Sequence, residues 1–423
     1  MKVVGVADSD SYVKWGAAML ERMPEQWSRS LVIVRTPALP SARQVASAVA
    51  GTRFSADDSP RLELAELAQL LADERPDVVL LSLRGPVVRV IVRMIVALGG
   101  KRPVIVSGMP GISIPETLNA LYYRSQVDFF ILHSKREIRA FSALAAGLGI
   151  QQDFGLASLP FLPPRRQAGR VGTDVVFAAQ AKVPRSLPER ELVVQWLAET
   201  ARRHPELRVV IKLRGTSGEA QTHGERYPYD ELLAELTDAP SNLVTSFGPM
   251  SVHLDNARAL VTVSSTAALE AVAMGVPVLA LDDFGVTPKL INVVFRKSGL
   301  LANSTALEAA DFRDPKPAWL EDNYFHPASD ENWIAGIEAL IARRAVAELP
   351  LRPQFRGSFG GRFRRVWDRK RALGQYDTSV MGYLALAVGV PLRGAVRKYR
   401  AIRARSERER VEREIAKPSR VDA

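Results

Sequence analysis

The sequence contains no cysteine, so disulfides, thiolate metal sites and thiol nucleophiles are all excluded. Histidine is scarce too, at five residues. No apolar run approaches the ~20 residues that a membrane-spanning helix needs. The longest, around Met381 to Leu392, stops well short. At the N-terminus the apolar stretch Met1–Ala7 gives way at once to Asp8 and Asp10, too soon for the apolar core of a signal peptide. It reads as the first strand of a cytoplasmic protein.

What the chain does have is size and apolar content. Its 423 residues, 47% of them hydrophobic, suffice for two cores, because a single core rarely grows past roughly 250–300 residues. The formal net charge of +11 is unevenly placed. Residues 351–423 carry 19 Lys and Arg against 7 Asp and Glu, which leaves 38 basic and 39 acidic groups for the other 350 residues. The excess charge therefore belongs to a tail, and the body is near neutral. Arg405, Arg408, Arg410 and Arg413 alternate with Glu407, Glu409, Glu412 and Glu414, a mixed pattern that speaks against nucleic acid as the partner.

Short β-branched runs alternate with helix-period stretches along the chain, the pattern of parallel sheets with crossover helices. Strands are expected at Val3–Ala7, Leu31–Arg35, Val78–Leu83, Val104–Ser107 and Phe129–His133, with helices at Leu62–Glu74 and Glu137–Gly147 between them. The proline-rich segment Ser158–Pro164, followed by polar and glycine residues, breaks the periodicity and marks a boundary. A second series follows at Asp174–Ala178, Arg208–Leu213, Leu243–Thr245, Leu260–Val263 and Val278–Leu281, and a last helix, Asn332–Ala347, is expected to close it. The reading is an N-terminal Rossmann-like domain over 1–165, a C-terminal one over 172–350, and a basic helical tail over 351–423.

The densest local signal is Ser264-Ser265-Thr266, at the end of one expected strand and the start of a helix that Gly275 and Pro277 terminate. Hydroxyls and backbone N–H groups at a helix N-terminus suit a phosphate. They equally suit a plain N-cap. Glu270 is misplaced for a capping box, and one turn along the helix it is placed to accept hydrogen bonds from ribose hydroxyls; a solvated glutamate is the plain alternative. Ligand-capable groups also follow the other strands of this half: Gln180 and Lys182, Lys212 and Arg214, Phe247 and Gly248, and Asp282-Asp283. Lys212 and Arg214 supply charge to neutralise a diphosphate leaving group.

Residues 175–285, through Phe177-Ala-Ala-Gln180, Val209-Val-Ile-Lys-Leu-Arg214 and Ser264-Ser-Thr-Ala-Ala-Leu-Glu-Ala271, resemble the donor domain of GT-B glycosyltransferases. The similarity is greatest to the transferases of capsule polysaccharides, Kdo and sialic acids and to CDP-glycerol glycerophosphotransferases. Asp8-Ser-Asp-Ser-Tyr-Val-Lys-Trp15 resembles the N-terminal half of an actinobacterial glycosyltransferase group. The resemblance implies a GT-B fold, phosphate binding by Ser264, Ser265 and Thr266, and donor contacts from Gln180, Lys212 and Glu270. It implies a nucleotide-sugar donor, a glycan or lipid-linked acceptor of the cell envelope, and no obligatory metal or cofactor. One departure stands out: Lys212-Leu-Arg-Gly215 occupies the place where relatives using CMP-activated acidic sugars carry a Lys-x-His-Pro-like turn.

Glycosyl transfer needs a base near the acceptor hydroxyl, supplied from across the cleft. Asp10, Asp8 and His133, each at a strand end, are the candidates, and Asp10 leads because Ser9, Ser11, Tyr12 and Lys14 surround it. Against this, Asp8-Ser9-Asp10 also reads as a turn with a helix cap, or as a pair of carboxylates for Mg²⁺, and His133 as a ring satisfying a buried backbone group. The loop Gly108–Ser113 would line the acceptor side. In the tail, Phe359, Phe363 and Trp367 recur every four residues among arginines. They suggest a basic amphipathic helix lying on the inner face of an anionic membrane or docked back on the body.

Overall fold

A computed structural model describes residues 1–166, 172–213, 226–355, 361–394 and 399. Two all-parallel sheets dominate it. The first has strands β1 (Lys2–Ala7), β2 (Ser28–Val34), β3 (Arg61–Leu62), β4 (Val78–Ser82), β5 (Val104–Gly108), β6 (Phe129–Leu132) and β7 (Asp153–Leu156), in the order β3-β2-β1-β4-β5-β6-β7. The second has β8 (Asp174–Ala178), β9 (Arg208–Lys212), β10 (Leu243–Ser246), β11 (Ala257–Thr262), β12 (Val278–Leu281) and β13 (Leu301–Ala302), in the order β10-β9-β8-β11-β12-β13. This is the doubly wound arrangement twice over: the strand order reverses between β1 and β4 in one sheet and between β8 and β11 in the other.

The strands are apolar on both faces because helices cover both faces. Val3, Val78, Leu80, Val104 and Val106 enter one core, whereas Val4, Val79, Leu81 and Ile105 enter the core on the opposite side of the same sheet. In the second sheet Val176, Leu260, Val278 and Ala280 point one way and Val175, Phe177, Val261, Leu279 and Leu281 the other. Successive residues thus alternate between faces without ever meeting solvent. All ten expected strands are present. The additional ones, β3, β7 and β13, are edge strands of two to four residues, too short to display a period.

At the end of the chain one expectation needs correction, and of the two readings of the aromatic helix, docking on the body is the one seen. The helix Trp333–Val346, expected to close the second half, returns to the first: Trp333, Ile337 and Leu340 lie in the core beneath β5, β6 and β7. Asn332 fixes its start, accepting from the Leu156 N–H through Oδ1 at 2.8 Å while its own N–H donates to the Leu156 carbonyl at 3.1 Å. The helix Gly361–Leu373 packs against the helix Gly85–Ala97 of the first half. Trp367 is buried there whereas Phe363 is exposed, so these two aromatics do not form one outward stripe; Phe359 lies outside the described residues.

Candidate functional site

In an open parallel sheet, the crevice beyond the carboxyl ends of the strands at the point of reversal is where ligands gather. In the second sheet that point holds Gln180, after β8, and Ser264, after β11. The Gln180 Oε1 accepts from the Ser264 N–H at 3.0 Å, and its Nε2 donates to Ser264 Oγ at 3.2 Å. The two strand ends are latched together by a carboxamide that supplies both the acceptor and the donor.

The serine turn leads into the helix Ala267–Met274. Ser265 is partly a cap: its Oγ accepts from the Ala267 N–H at 3.2 Å, and its own N–H donates to Thr262 Oγ1 at 3.0 Å. Thr266 is exposed and its hydroxyl makes no capping bond. The triplet therefore divides, with Ser264 and Ser265 shaping the turn and Thr266 facing the crevice.

These residues line a cavity of about 550 Å³ with Gln180, Lys182, Lys212, Glu270, Met250 and Ile291, and Ile112 reaches it from the first half. The opposite wall is close. A side chain at Gly111 would stand 3.5 Å from Thr266 Cγ2, and one at Gly108 would run into the Trp15 indole. The Gly108–Ser113 loop thus forms the facing wall; at Gly111 a Cβ would meet Thr266 at ordinary contact distance, and Gly108 makes room for Trp15 of its own half. Glu270 is half-buried here; loss of water raises its carboxyl pKa, opposed by Lys14 and then by Lys212. Lys14 belongs to the first half, on the helix Asp10–Glu21, so the cleft brings a cation from one half to a carboxylate of the other.

Asp10 is the first residue of that helix, exposed at the carboxyl end of β1. Partial burial raises its pKa and Lys14 opposes the rise. Lys14 stands one helical turn from Asp10 and within electrostatic range of Glu270, a role that spacing alone did not assign, although the i, i+4 relation was visible. The other two base candidates have structural partners. Asp8 is fully buried, accepting from Arg84 Nε at 2.7 Å and from the Arg84 N–H at 3.0 Å, while Arg84 also donates to Thr36 Oγ1. It ties the ends of β1, β2 and β4 together. His133 is fully buried; its Nε2 accepts from Trp15 Nε1 at 2.7 Å and its Nδ1 donates to the Ala157 carbonyl at 2.9 Å. Burial lowers its pKa to about 4, and with both nitrogens occupied it has no lone pair to offer an acceptor.

Other expected donor groups fall elsewhere. Phe247 and Gly248 follow β10 but do not line the cavity; the Phe247 carbonyl accepts from His253 Nε2 at 2.9 Å. Asp283 accepts from the N–H and hydroxyl of Ser304, the first residue of the helix Ser304–Glu308 that Asn303 caps. Arg214 lies outside the described residues. Among the described residues, no histidine lines the cavity, and no three His, Asp or Glu side chains gather to hold a metal ion.

Residues 3–340 match the model of a family described as "Putative glycosyltransferase (DUF6716)". Among solved structures, S. aureus MnaA with UDP is similar at TM-score 0.51 and 11% identity, over 85% of this chain and 100% of that one. UDP-GlcNAc 2-epimerase from Methanocaldococcus jannaschii is similar at TM-score 0.49 and 12% identity, over 82% and 100%. Arabidopsis thaliana UGT89C1 is similar at TM-score 0.49 and 12% identity, over 81% and 99%. No curated protein matches in sequence. The architecture is GT-B: two Rossmann-like parallel-sheet domains flanking a cleft.

Proposed function

The chain belongs to the family described as "Putative glycosyltransferase (DUF6716)", and from that premise we propose that it moves a sugar from a nucleotide-activated donor, held against the second sheet, to a cell-envelope or polysaccharide acceptor held against the first. The observation that carries this reading is the Gln180–Ser264 latch at the point of strand reversal, which sets Thr266, Lys212 and Glu270 around one cavity. Thr266 and the start of its helix bind the diphosphate, Lys212 offsets its charge, and Glu270 accepts from the ribose. Asp10 takes the proton of the acceptor hydroxyl as that oxygen bonds to the anomeric carbon and the nucleotide diphosphate leaves.

The test is a thermal-shift panel of UDP, GDP, CDP, CMP and dTDP sugars together with CDP-glycerol, followed by a turnover assay on any ligand that binds, since a bound ligand raises the unfolding temperature by mass action. A shift with one nucleotide series, lost on replacing Ser264, Ser265 and Thr266 together by alanine, supports the reading. No shift with any of them refutes it. Stabilisation by CDP-glycerol alone points to glycerol phosphate transfer, and tight binding without turnover to a scaffold in polymer assembly.

A further inference from the structure

Residues 378–392 contain no charged side chain. Over 380–394 the chain forms a helix whose buried positions are all small residues and whose large apolar residues mostly face outward. Gly382, Ala385 and Gly389 are its buried positions, and they recur on one helical face. A side chain at Gly389 would collide with the Trp367 indole, and one at Gly382 would come within 2.9 Å of Asp377 and Ser379. Close approach of two helices explains the glycines. The opposite face holds Val380, Met381, Leu384, Val388 and Leu392, each between 51% and 74% exposed, flanked by Tyr383 and Val390. At 1.5 Å per residue this apolar ridge runs about 20 Å.

Soluble proteins rarely leave so continuous a patch uncovered. Its surroundings indicate what covers it. Residues 361–394 carry seven Lys or Arg against two Asp. The arginines lie near one another: Arg371 feels the positive charge of Arg393 and Arg364, offset in part by Asp368. Such crowding costs energy in water and is relieved by an anionic surface. An apolar ridge beside concentrated positive charge matches the boundary between acyl chains and anionic headgroups.

We propose that the helix over 380–394 is the element that enters an anionic lipid surface, with helix Gly361–Leu373 as its platform and source of charge. The aromatic residue buried in that platform, Trp367, anchors the inserting helix and does not itself meet lipid. Because the platform packs on the helix Gly85–Ala97, the membrane lies against the first half of the molecule, the half to which the acceptor is assigned above.

Sedimentation of the intact protein with phosphatidylcholine vesicles, with and without phosphatidylglycerol, tests this. Binding should require the anionic lipid and weaken as salt rises. The double variant Leu384→Glu/Val388→Glu alters two exposed positions, so the fold tolerates it, and it should bind roughly tenfold more weakly or worse. Phe363→Ala should change binding little. Because the chain has no cysteine, Leu384→Cys takes a single environment-sensitive fluorophore, whose emission should shift to the blue on the anionic vesicles. Nucleotide affinity, read in the same preparation, is independent of this result. Unchanged vesicle binding by the double variant, or no fluorophore shift, overturns the proposal. So does concentration-dependent self-association, without vesicle binding, that the double variant abolishes; a second copy would then be the occupant.

Discussion

Three side chains that looked alike in sequence, Asp8, Asp10 and His133, separate by what already holds them. Asp8 and His133 have their lone pairs committed inside the first half, and Asp10 alone stands exposed at the cleft end of β1. Asp10→Asn should leave nucleotide affinity intact and lower the transfer rate by about 10²–10⁴. Since partial burial raises the Asp10 pKa, and a base must be deprotonated, the acid limb of the rate should lie above the ordinary aspartate value of 3.8 and disappear in the variant. An Asp10→Asn enzyme with a normal rate would remove this residue from the chemistry. On the donor side, Glu270→Gln should weaken binding of ribose-bearing nucleotides but not of inorganic diphosphate; equal losses on both would assign Glu270 to phosphate or to folding.

His133 titrates in a different experiment. Its folded pKa of about 4 lies below the ordinary 6.5, so between those values the unfolded chain holds more protons and stability rises with pH. The stability is present above about pH 6.5 and lost as pH falls towards 4, on the order of 3 kcal/mol in full. Unfolding of wild type and His133→Gln, followed across this window, should show a flatter dependence in the variant. Parallel curves would mean that another group carries the proton.

Among the secondary-structure elements, the long central strands were legible because each has a continuous apolar middle, with polar or charged residues only towards its ends, a pattern that burial on both faces imposes. The serine turn was legible because strand end, hydroxyls and helix start follow one another without a break. What periodicity does not contain is the partner of a helix. Trp333–Val346 displays an apolar stripe that fits either core, and the choice of the first is made by Asn332 gripping Leu156, a contact between residues 176 apart. The same limit applies to the aromatic spacing Phe363–Trp367, which says that a face exists and not that it meets solvent. Ile337→Ala, buried beneath the first sheet, should cost about 2–5 kcal/mol. Chemical denaturation monitored by a label in each half should show the first half losing more. A loss confined to the second half would contradict the placement of this helix.

The molecule as a whole depends on how the two halves are joined. Exposed ion pairs cross between them, Lys135 with Glu321 and Asp330, and Arg139 with Asp322, but such pairs contribute little in water. The buried junction is of another kind. Ile114 and Leu159 of the first half lie in a core of the second, and beside them Tyr324 of the second half donates its hydroxyl to Glu137 Oε1 of the first at 2.6 Å. Glu137 also accepts from the Ser113 N–H at 2.7 Å and the His133 N–H at 2.9 Å, so one carboxyl gathers the cleft loop, the end of β6 and the opposite half. Burial raises the pKa of Glu137 and of Tyr324, which makes the bond between them expensive to break and leave unsatisfied. Tyr324→Phe removes one donor at nearly constant volume and should cost about 1–3 kcal/mol. The loss falls on the junction, so calorimetry should show the cooperative unfolding of the wild type broaden or split in this variant, while Lys135→Ala, at the exposed pair, changes neither the shape nor the midpoint much. The reverse result, a split transition in Lys135→Ala and a normal one in Tyr324→Phe, would place the coupling of the halves at their surface and leave the Glu137–Tyr324 bond with a local role only.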